Sequence, residues 1–281
     1  MKLLKYSLSH YFLVGCLCLS VLILISSCKK SAVQNISQRK WELVWSDDFL
    51  GNAGAAPDPS KWTFDIGNGT NGWGNQELEY YTDRSQNISL DGNGNLVITA
   101  IPESYAGFGF TSARIKTQGL FSQAYGRFEA RIKTPYGPGI WPAFWLLGNN
   151  VDTVGWPECG EVDIMEQRGQ KPYINNGSVH GPGYSGGNAV TKAYALSNGR
   201  FDTDYHIYAV EWGPDFIDYF VDNFLYQRIT PNDVSGKWVF NHPFFMILNL
   251  AVGGNYVGFP TTGTVFPQYM YVDYVKVYKQ L

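Results

Sequence analysis

Charged residues are scarce in this chain of 281 residues, and neither sign of charge dominates. Asp, Glu, Lys and Arg make up 16% of the residues, against about a quarter in an average globular protein. Disordered segments and coiled coils carry more charge than this, so both are excluded. Lys and Arg number 21 and Asp and Glu 24, which gives a net charge of −3. This balance argues against nucleic acid as a partner, because nucleic-acid-binding proteins carry a basic excess.

Cysteine is also scarce, and its positions leave no pair for a disulfide in the body of the chain. Of the four cysteines, Cys16, Cys18 and Cys28 lie near the N-terminus and only Cys159 lies beyond it. No intramolecular disulfide is therefore expected. Cys159 lies beside an acidic cluster, where a nucleophile would be one interpretation. We interpret it instead as a small buried hydrophobic residue.

The apolar run near the N-terminus is too short to span a bilayer. It occupies residues 12–25 after Lys2 and Lys5, whereas a membrane-spanning helix needs roughly 20 apolar residues. Basic residues followed by a short apolar run are typical of a secretory leader. The run ends in the sequence ISSC at 25–28, which resembles a bacterial lipoprotein signal. We predict a signal peptide over 1–27, lipidation of Cys28 and a polar tether over 28–40. An ordinary secretory leader or an unlipidated anchor is the alternative.

No stretch after residue 41 shows a helical pattern, and the chain repeats short β-prone runs instead. Such runs alternate polar with apolar residues, as half-buried strands do, and include LVITA (96–100), GRFEARI (126–132), YAVEW (208–212) and IDYFV (217–221). Turn signals separate the runs, for example DGNG (91–94), GPD (213–215) and VDN (221–223). Without alternating helices the strands cannot form a parallel α/β sheet, so the pattern predicts one all-β domain over 41–281, a sandwich or jelly roll.

Three acidic residues lie close together in the segment WPECGEVDIME at 156–166. Glu161 and Asp163 are two apart and face the same side of a strand, whereas Glu166 is three beyond Asp163 and would point away. A β-bulge, with one extra residue most simply at Met165, returns Glu166 to their side. The sequence therefore predicts three carboxylates on one face of a single strand.

Three neighbouring carboxylates repel one another, so one is driven to hold a proton while another stays ionised. A retaining glycosidase needs this division of roles between a nucleophile and a general acid. A solvated acidic strand and a calcium site are the alternatives. Apolar Val162, Ile164 and Met165 disfavour the solvated strand, and calcium usually takes its ligands from a flexible loop. The pattern favours glycoside hydrolysis.

The acidic string GEVDIME (160–166) resembles the bulged E-x-D-x-x-E signature of glycoside hydrolase family 16, in its laminarinase branch. Six further segments match the family in order, namely WELVWSDDF (41–49), GWGNQELEYYT (72–82), GIWPAFW (139–145), HGPGYSG (180–186), NLAVGG (249–254) and VDYVKVY (272–278). The resemblance implies a jelly-roll sandwich of two antiparallel sheets with a concave cleft. It also implies a retaining endo-β-1,3-glucanase, with Glu161 as nucleophile, Glu166 as acid and base, and Asp163 tuning both, so that the three titrate as a unit.

Matching positions also imply residues that bind the sugar. Aromatic rings suit pyranoses because they combine flat apolar faces with polar edges. The resemblance assigns the cleft to Trp141, Trp145, Trp156, Asn75, Arg114 and His180, with His180 close to the acid/base and Gln268 as a weaker candidate. The alternatives are core packing for the tryptophans and surface or turn roles for Asn75 and Arg114. His206 and His242 are interpreted as structural.

The resemblance further implies a structural calcium ion away from the chemistry. The matching positions are Asp48, Gly94 and Asp273, and oxygen ligands from loops suit calcium. Asp273 equally fits a turn or an ion pair. No cofactor is expected for catalysis.

Other functions consistent with the same fold are a hydrolase of mixed-linkage glucan or of a galactan such as agarose or carrageenan, and a non-catalytic β-glucan-binding lipoprotein. The presence of all three acids favours the enzyme. The expected partner is a β-1,3-glucan, and the only membrane contact expected is the N-terminal lipid. The protein is expected to be an exported, membrane-anchored monomer on the periplasmic or outer side.

Overall fold

A computed structural model of the protein describes residues 39–281. The predicted signal peptide, Cys28 and most of the tether lie outside these residues. Strands make up almost all of the regular structure. In chain order they are β1 Trp41–Asp47, β2 Thr63–Asp65, β3 Glu79–Tyr81, β4 Ile88–Leu90, β5 Leu96–Tyr105, β6 Phe108–Ser112, β7 Arg114–Lys116, β8 Gly126–Lys133, β9 Ile140–Gly148, β10 Glu161–Glu166, β11 Ile174–His180, β12 Val190–Ala195, β13 His206–Gly213, β14 Phe216–Val221, β15 Phe224–Ile229, β16 Phe244–Val252 and β17 Gln268–Gln280.

Helical structure in this part of the chain is limited to single turns. One four-residue helix, α1, spans Val151–Val154, and two further turns span Gly72–Gln76 and Gly186–Asn188. None of the described helices is long and apolar enough to cross a membrane. All four β-prone runs named from the sequence fall within strands, which confirms the all-β prediction.

The strands form two sheets. A ten-stranded sheet has the order β15-β14-β13-β8-β17-β5-β6-β3, with β1 on β17 and β4 on β5, and a seven-stranded sheet has the order β12-β11-β10-β9-β16-β7-β2. Every named pair is antiparallel except β3 with β6, which is parallel. The ten-stranded sheet is therefore mixed, a departure from the two antiparallel sheets predicted.

Local sequence explains the hairpins. Asp222 and Asn223 connect β14 to β15 with φ values of 49° and 64°. Left-handed backbone at both central positions matches the twist of the flanking strands, and Asn and Asp tolerate it well. Between β4 and β5, the carboxylate of Asp91 accepts hydrogen bonds from the backbone N–H groups of Asn93 and Asn95 at 2.7 and 3.0 Å. The DGNG turn is thereby fixed.

The hydrophobic core lies between the two sheets. Alternate residues point inward from the strands of both sheets, for example Phe128, Ala130 and Ile132 of β8, Tyr208, Val210 and Trp212 of β13, Phe144 and Leu146 of β9, and Met246, Leu248 and Leu250 of β16. Each is almost fully buried, which stabilises the fold by about 1.5 to 3 kcal/mol for a large apolar side chain. The opposite face of the seven-stranded sheet points away from this core. We call it the site face.

The folded unit begins at Arg39, slightly before the predicted start at Trp41. The Arg39 guanidinium lies 2.5 Å from the carboxylate of Glu211 and 3.1 Å from that of Asp218. The carbonyl of Lys40 accepts a hydrogen bond from the N–H of Leu281 at 2.9 Å. These two residues, assigned to the tether from the sequence, belong to the fold.

Cys159 is fully buried, as predicted. Burial raises the pKa of its thiol to about 11, so the reactive thiolate is not populated at neutral pH. His206 and His242 also have structural contacts, with Asp222 at 2.7 Å and with the carbonyl of Pro243 at 3.0 Å.

Candidate active site

The acidic strand β10 is an inner strand of the seven-stranded sheet, between β9 and β11. Its register shifts by one residue after Asp163 against both neighbours. On the β9 side, adjacent residues pair with residues two apart on β10, as Trp145↔Asp163 and Phe144↔Met165. The predicted bulge is therefore present, and Ile164, rather than Met165, is the residue without a partner on β9.

The bulge sorts the side chains of β10 onto two faces. Val162, Ile164 and Met165 are all buried in the core. Two consecutive residues point inward at the bulge, so Glu166 returns to the side of Glu161 and Asp163. Apolar residues on one face and acids on the other contradict the solvated-strand interpretation.

Glu161 is held by two side chains on the site face. The indole N–H of Trp156 donates a hydrogen bond of 2.9 Å to Oε2, and Nε2 of His180 lies 3.7 Å from Oε1. Trp156 is 47% exposed, so its ring also offers an open face. Both contacts supply positive or partially positive charge, which favours the ionised form of Glu161.

Glu166 has different surroundings. The indole N–H of Trp141 donates a hydrogen bond of 3.1 Å to Oε1, and the ring of Trp141 packs 5.0 Å from that of Tyr256. Asn176 lies opposite Glu166 on β11 and donates to the hydroxyl of Tyr256 at 2.9 Å. Within residues 39–281, Glu166 takes part in no ion pair. Its environment thus favours the protonated form more than that of Glu161 does.

His180 lies opposite Glu161 on β11, and its closest carboxylates are Asp163 at 3.0 Å and Glu161 at 3.7 Å. The resemblance placed it close to the acid/base Glu166, and in the structure its nearest carboxylates are those of the other two acids. Its Nδ1 accepts a hydrogen bond from the N–H of Gly186 at 3.0 Å, which favours the tautomer with a proton on Nε2. In either protonation state, Nε2 therefore carries a proton near Asp163 and Glu161.

Burial and mutual repulsion shift the titration of the cluster. Burial, reinforced by the charge of Asp163, raises the pKa of Glu161 to about 8 and that of Glu166 to about 8. Burial opposes charge on His180, but the charge of Asp163 outweighs it and raises the pKa of the imidazole to about 10. Groups this close titrate together, so at neutral pH the carboxyls share protons. The imidazole of His180 lies within 4 Å of Glu161 and not of Glu166, which favours the charge on Glu161 and the proton on Glu166.

Side chains that are able to hold a metal ion come together at one place in the described residues. One atom each of Glu161, Asp163 and His180 lies within 4.8 Å of the others. Each already has a protein partner, respectively Trp156, His180 and the N–H of Gly186. The same contacts position the three groups for acid–base chemistry.

Three predicted sugar-binding residues line the site face beyond the acids. Trp145 is half-buried, and the guanidinium of Arg114 lies 4.9 Å from its ring and 4.4 Å from that of Trp73. Asn75 lies in the turn Gly72–Gln76 and donates to Glu77 at 3.2 Å. The structure thus brings Trp145, Arg114 and Asn75 together at one side of the acidic strand.

Trp141 and Gln268 differ from the prediction. Trp141 is only 9% exposed and packs in a small apolar cluster with Ala251 and Val257, so the packing alternative fits it better than an open stacking platform. Gln268 belongs to β17 in the other sheet, where it accepts from the N–H of Tyr136 at 3.1 Å. It is not part of the site.

Several residues at the site were not singled out from the sequence, namely Trp73, Asn176, Asn249 and Tyr256. Trp73 and Asn249 stand within motifs that carried the family resemblance, so those motifs were a usable signal. Asn249 accepts a hydrogen bond of 2.8 Å from the indole of Trp145. Tyr256 has no local signal, because its contact with Trp141 joins distant parts of the chain.

The predicted calcium ligands converge outside the site face. Asp48 follows β1 and Gly94 precedes β5, and both strands pair with β17, which carries Asp273. A Cβ atom built on Gly94 would lie 3.9 Å from the carbonyl oxygen of Asp48. The carboxylates are engaged, since Arg131 lies 2.6 Å from Asp273 and Lys276 lies 3.1 Å from Asp48. Backbone oxygens at this place fit calcium, whereas Asp273 would have to share its carboxylate with Arg131.

Comparison with known proteins gives a consistent assignment. The sequence model for Glycosyl hydrolases family 16 matches residues 68–275. A beta-glucanase of Rhodothermus marinus is 42% identical over 249 residues, which cover 85% of this chain and 85% of that protein. The alpha subunit of clotting factor G from Tachypleus tridentatus is 43% identical over 241 residues, 85% of this chain. The present chain spans only 34% of that longer protein.

The fold is likewise similar to solved structures. The laminarinase catalytic domain of Thermotoga maritima has 47% sequence identity and a TM-score of 0.81, covering 86% of this chain and 99% of that one. Family match, sequence identity and fold agree over most of the described residues. This chain belongs to glycoside hydrolase family 16.

Proposed function

We propose that the protein is a retaining endo-β-1,3-glucanase that cleaves internal bonds of laminarin-like β-glucans. The relatives named above include a laminarinase and a beta-glucanase that match most of this chain. The observation that carries the proposal is the bulge in β10, because it brings both glutamates and Asp163 to one face. A binding protein would need the aromatic rings but not this acid–base set.

In the first step, an oxygen of ionised Glu161 attacks the anomeric carbon while Glu166 gives its proton to the glycosidic oxygen. The bond to the leaving chain breaks, and a glycosyl ester forms on Glu161. In the second step, Glu166 takes a proton from water, whose oxygen attacks the same carbon and frees Glu161. Two inversions at one carbon retain its configuration.

The contacts of the two glutamates support these roles. His180 and Trp156 stabilise negative charge on Glu161, as a nucleophile and leaving carboxylate requires. The raised pKa of Glu166 keeps a proton available near neutral pH. Asp163 lies between the two and holds the imidazole of His180 in place. It thereby couples the charges of the other two acids.

Sugar recognition is proposed to use both sides of the acidic strand. On one side, Trp156 offers an exposed ring next to Glu161. On the other, Trp145, Arg114 and Asn75 present an aromatic ring and polar groups, which suit the apolar face and the hydroxyls of a pyranose.

The substrate is tested by chromatography of the sugars that residues 29–281 release from laminarin, mixed-linkage β-glucan, agarose and carrageenan. Oligosaccharides from laminarin, with little from the galactans, are expected. Release from a galactan alone would overturn the substrate but keep the three acids. Binding to a glycan without release from any would support the non-catalytic alternative.

We further propose that the chain is exported and anchored by a lipid on Cys28. The support is the short apolar run ended by ISSC at 25–28 and the polar segment that follows it. An anchored enzyme outside the cytoplasm would meet a polysaccharide that is too large to cross the membrane. Fractionation tests this, since Cys28→Ala is expected to leave the membrane fraction, and retention there would contradict lipidation at this residue.

A structural calcium ion is proposed at the carbonyls of Asp48 and Gly94 with the carboxylate of Asp273. The closeness of the two backbone segments supports it, and the ion would link the end of β1 and the start of β5 to β17. Elemental analysis of the purified protein and melting with and without EDTA test the site. A calcium content near one per chain that falls in Asp273→Ala is expected. The same melting temperature in calcium and in EDTA would contradict it.

A further inference from the structure

A chain of hydrogen bonds runs from the site face into the protein behind Trp145. The indole N–H of Trp145 donates to Oδ1 of Asn249 at 2.8 Å, and the amide of Asn249 donates to the hydroxyl of Tyr81 at 3.1 Å. Tyr81 in turn donates to Oε2 of Glu77 at 3.2 Å. Every donor points the same way, so the chain ends on the carboxylate of Glu77.

The other oxygen of Glu77 holds a second group of the site. Oε1 accepts a hydrogen bond of 3.2 Å from the amide of Asn75. Asn75 belongs to the turn Gly72–Gln76, and its carbonyl accepts from the N–H of Asn255 at 2.7 Å. One buried carboxylate therefore reaches two predicted sugar-binding residues, Asn75 directly and Trp145 through two intermediates.

The turn that carries Asn75 needs such an anchor. Asn71, Trp73 and Gln76 have φ values of 52°, 53° and 60°, a left-handed conformation that is costly for residues other than glycine. The surrounding structure must hold a backbone of this kind. Asn68 contributes by donating to the carbonyls of Glu77 and Glu79 at 3.0 and 2.7 Å. The carboxylate of Glu77 adds the contact to the side chain that faces the site.

Glu77 is buried next to a second glutamate, Glu79. Glu79 is fully buried and accepts from the N–H of Val252 at 2.6 Å. Burial and the charge of Glu77 raise the pKa of Glu79 well above its ordinary value. Glu79 therefore stays neutral, and Glu77 accepts hydrogen bonds from two converging donors, Asn75 and Tyr81.

We propose that Glu77 is a positioning residue for the reaction, which fixes the indole of Trp145 through Tyr81 and Asn249 and fixes the amide of Asn75 directly. This rests on the proposed function, in which Trp145 and Asn75 bind sugar beside the scissile bond. Glu77 itself is only 8% exposed and acts through the groups it aligns.

The variant Glu77→Gln tests the proposal while keeping the shape of the side chain. Glutamine presents an NH₂ group to one of the two donors, so at least one hydrogen bond is lost. We expect KM to rise about tenfold and kcat to change less than about threefold, because ground-state and transition-state binding weaken together. Loss of folded protein alone would lower the apparent kcat and leave KM unchanged. Glu42→Gln is the matched control, since that carboxylate is half exposed and pairs with Lys279.

A second variant keeps the test decisive if Glu77→Gln does not fold. Tyr81→Phe removes only the hydroxyl that links Asn249 to Glu77, and it should raise KM in the same way. Tyr81→Phe leaves the contact between Glu77 and Asn75 in place, so its increase in KM should be no larger than that of Glu77→Gln. Unchanged KM in either variant that folds would overturn the proposal. KM is measured on whichever glycan the wild type cleaves, so a wrong substrate assignment is recognised separately.

Discussion

Replacing Glu166 by Gln should abolish activity and, at the same time, stabilise the fold. The structure holds this carboxyl half-buried beside Asp163, and desolvation together with the charge of Asp163 raises its pKa to about 8 from an ordinary 4.5. A raised pKa in the folded state means that the stability from this group is complete below about pH 4.5 and is lost as the pH rises through about 8. Glutamine has nearly the same shape and cannot ionise, so the Glu166→Gln variant keeps this stability as the pH rises.

The size of this stabilisation follows from the free energy of protonating Glu166 when the chain folds. At pH 7 the unfolded chain has an ionised Glu166, and protonating it costs up to about 3 kcal/mol, at 1.36 kcal/mol per pH unit. The proton is shared with Glu161, which has a similar pKa, so about half of that is expected from one substitution. For a domain of this size, a gain of about 1 to 2 kcal/mol corresponds to a rise in melting temperature of roughly 2 to 8 °C.

Thermal melts of wild type and Glu166→Gln between pH 4.5 and 8.5 measure this difference. The two should melt together near pH 4.5, and the variant should melt progressively higher as the pH rises. Glu42→Gln, an exposed glutamate on β1, should show no such trend. A variant that melts below the wild type at pH 8, or a difference that does not change with pH, would refute the reasoning.

Three further predictions concern the acidic strand and its chemistry. The kcat/KM value should fall about tenfold per pH unit above about pH 8, because the acid must be protonated; constant activity up to pH 10 would contradict this. Deleting Ile164 should keep all three acids on one face as a regular strand, whereas deleting Val162 should put Glu161 and Asp163 on opposite faces. The first deletion should therefore be at least about a hundredfold more active than the second, and equal rates in two folded variants would count against the bulge as the organising feature. Glu161→Gly, given a glycosyl fluoride of opposite anomeric configuration, should form new linkages, and mass spectrometry of the products tests this.

The sequence was sufficient to predict the face on which each acid lies. The two-residue period of a strand placed Glu161 together with Asp163, and the mismatch at Glu166 required a bulge, which the register confirms. The period does not distinguish Ile164 from Met165 as the extra residue, because both are apolar and both point into the core. Only the pairing with β9 decides this.

Partners across the sheet were less predictable. Tyr256 packs on Trp141, and Asn249 binds the indole of Trp145, over separations of more than a hundred residues along the chain. Strand periodicity tells which way a side chain points but not what it meets there. For the same reason the burial of Trp141 and the place of His180 beside Glu161 emerged only from the folded structure.

The central claim is that Glu161 is the nucleophile and Glu166 the acid, and covalent trapping tests it most directly. A 2-deoxy-2-fluoro β-1,3-glucosyl fluoride slows release of the glycosyl-enzyme, so the labelled protein can be digested and its peptides sequenced by mass spectrometry. The account predicts one label per chain, on Glu161, and none in Glu161→Gln. A label on Glu166 would contradict it, as would release of a product with inverted configuration and no covalent label.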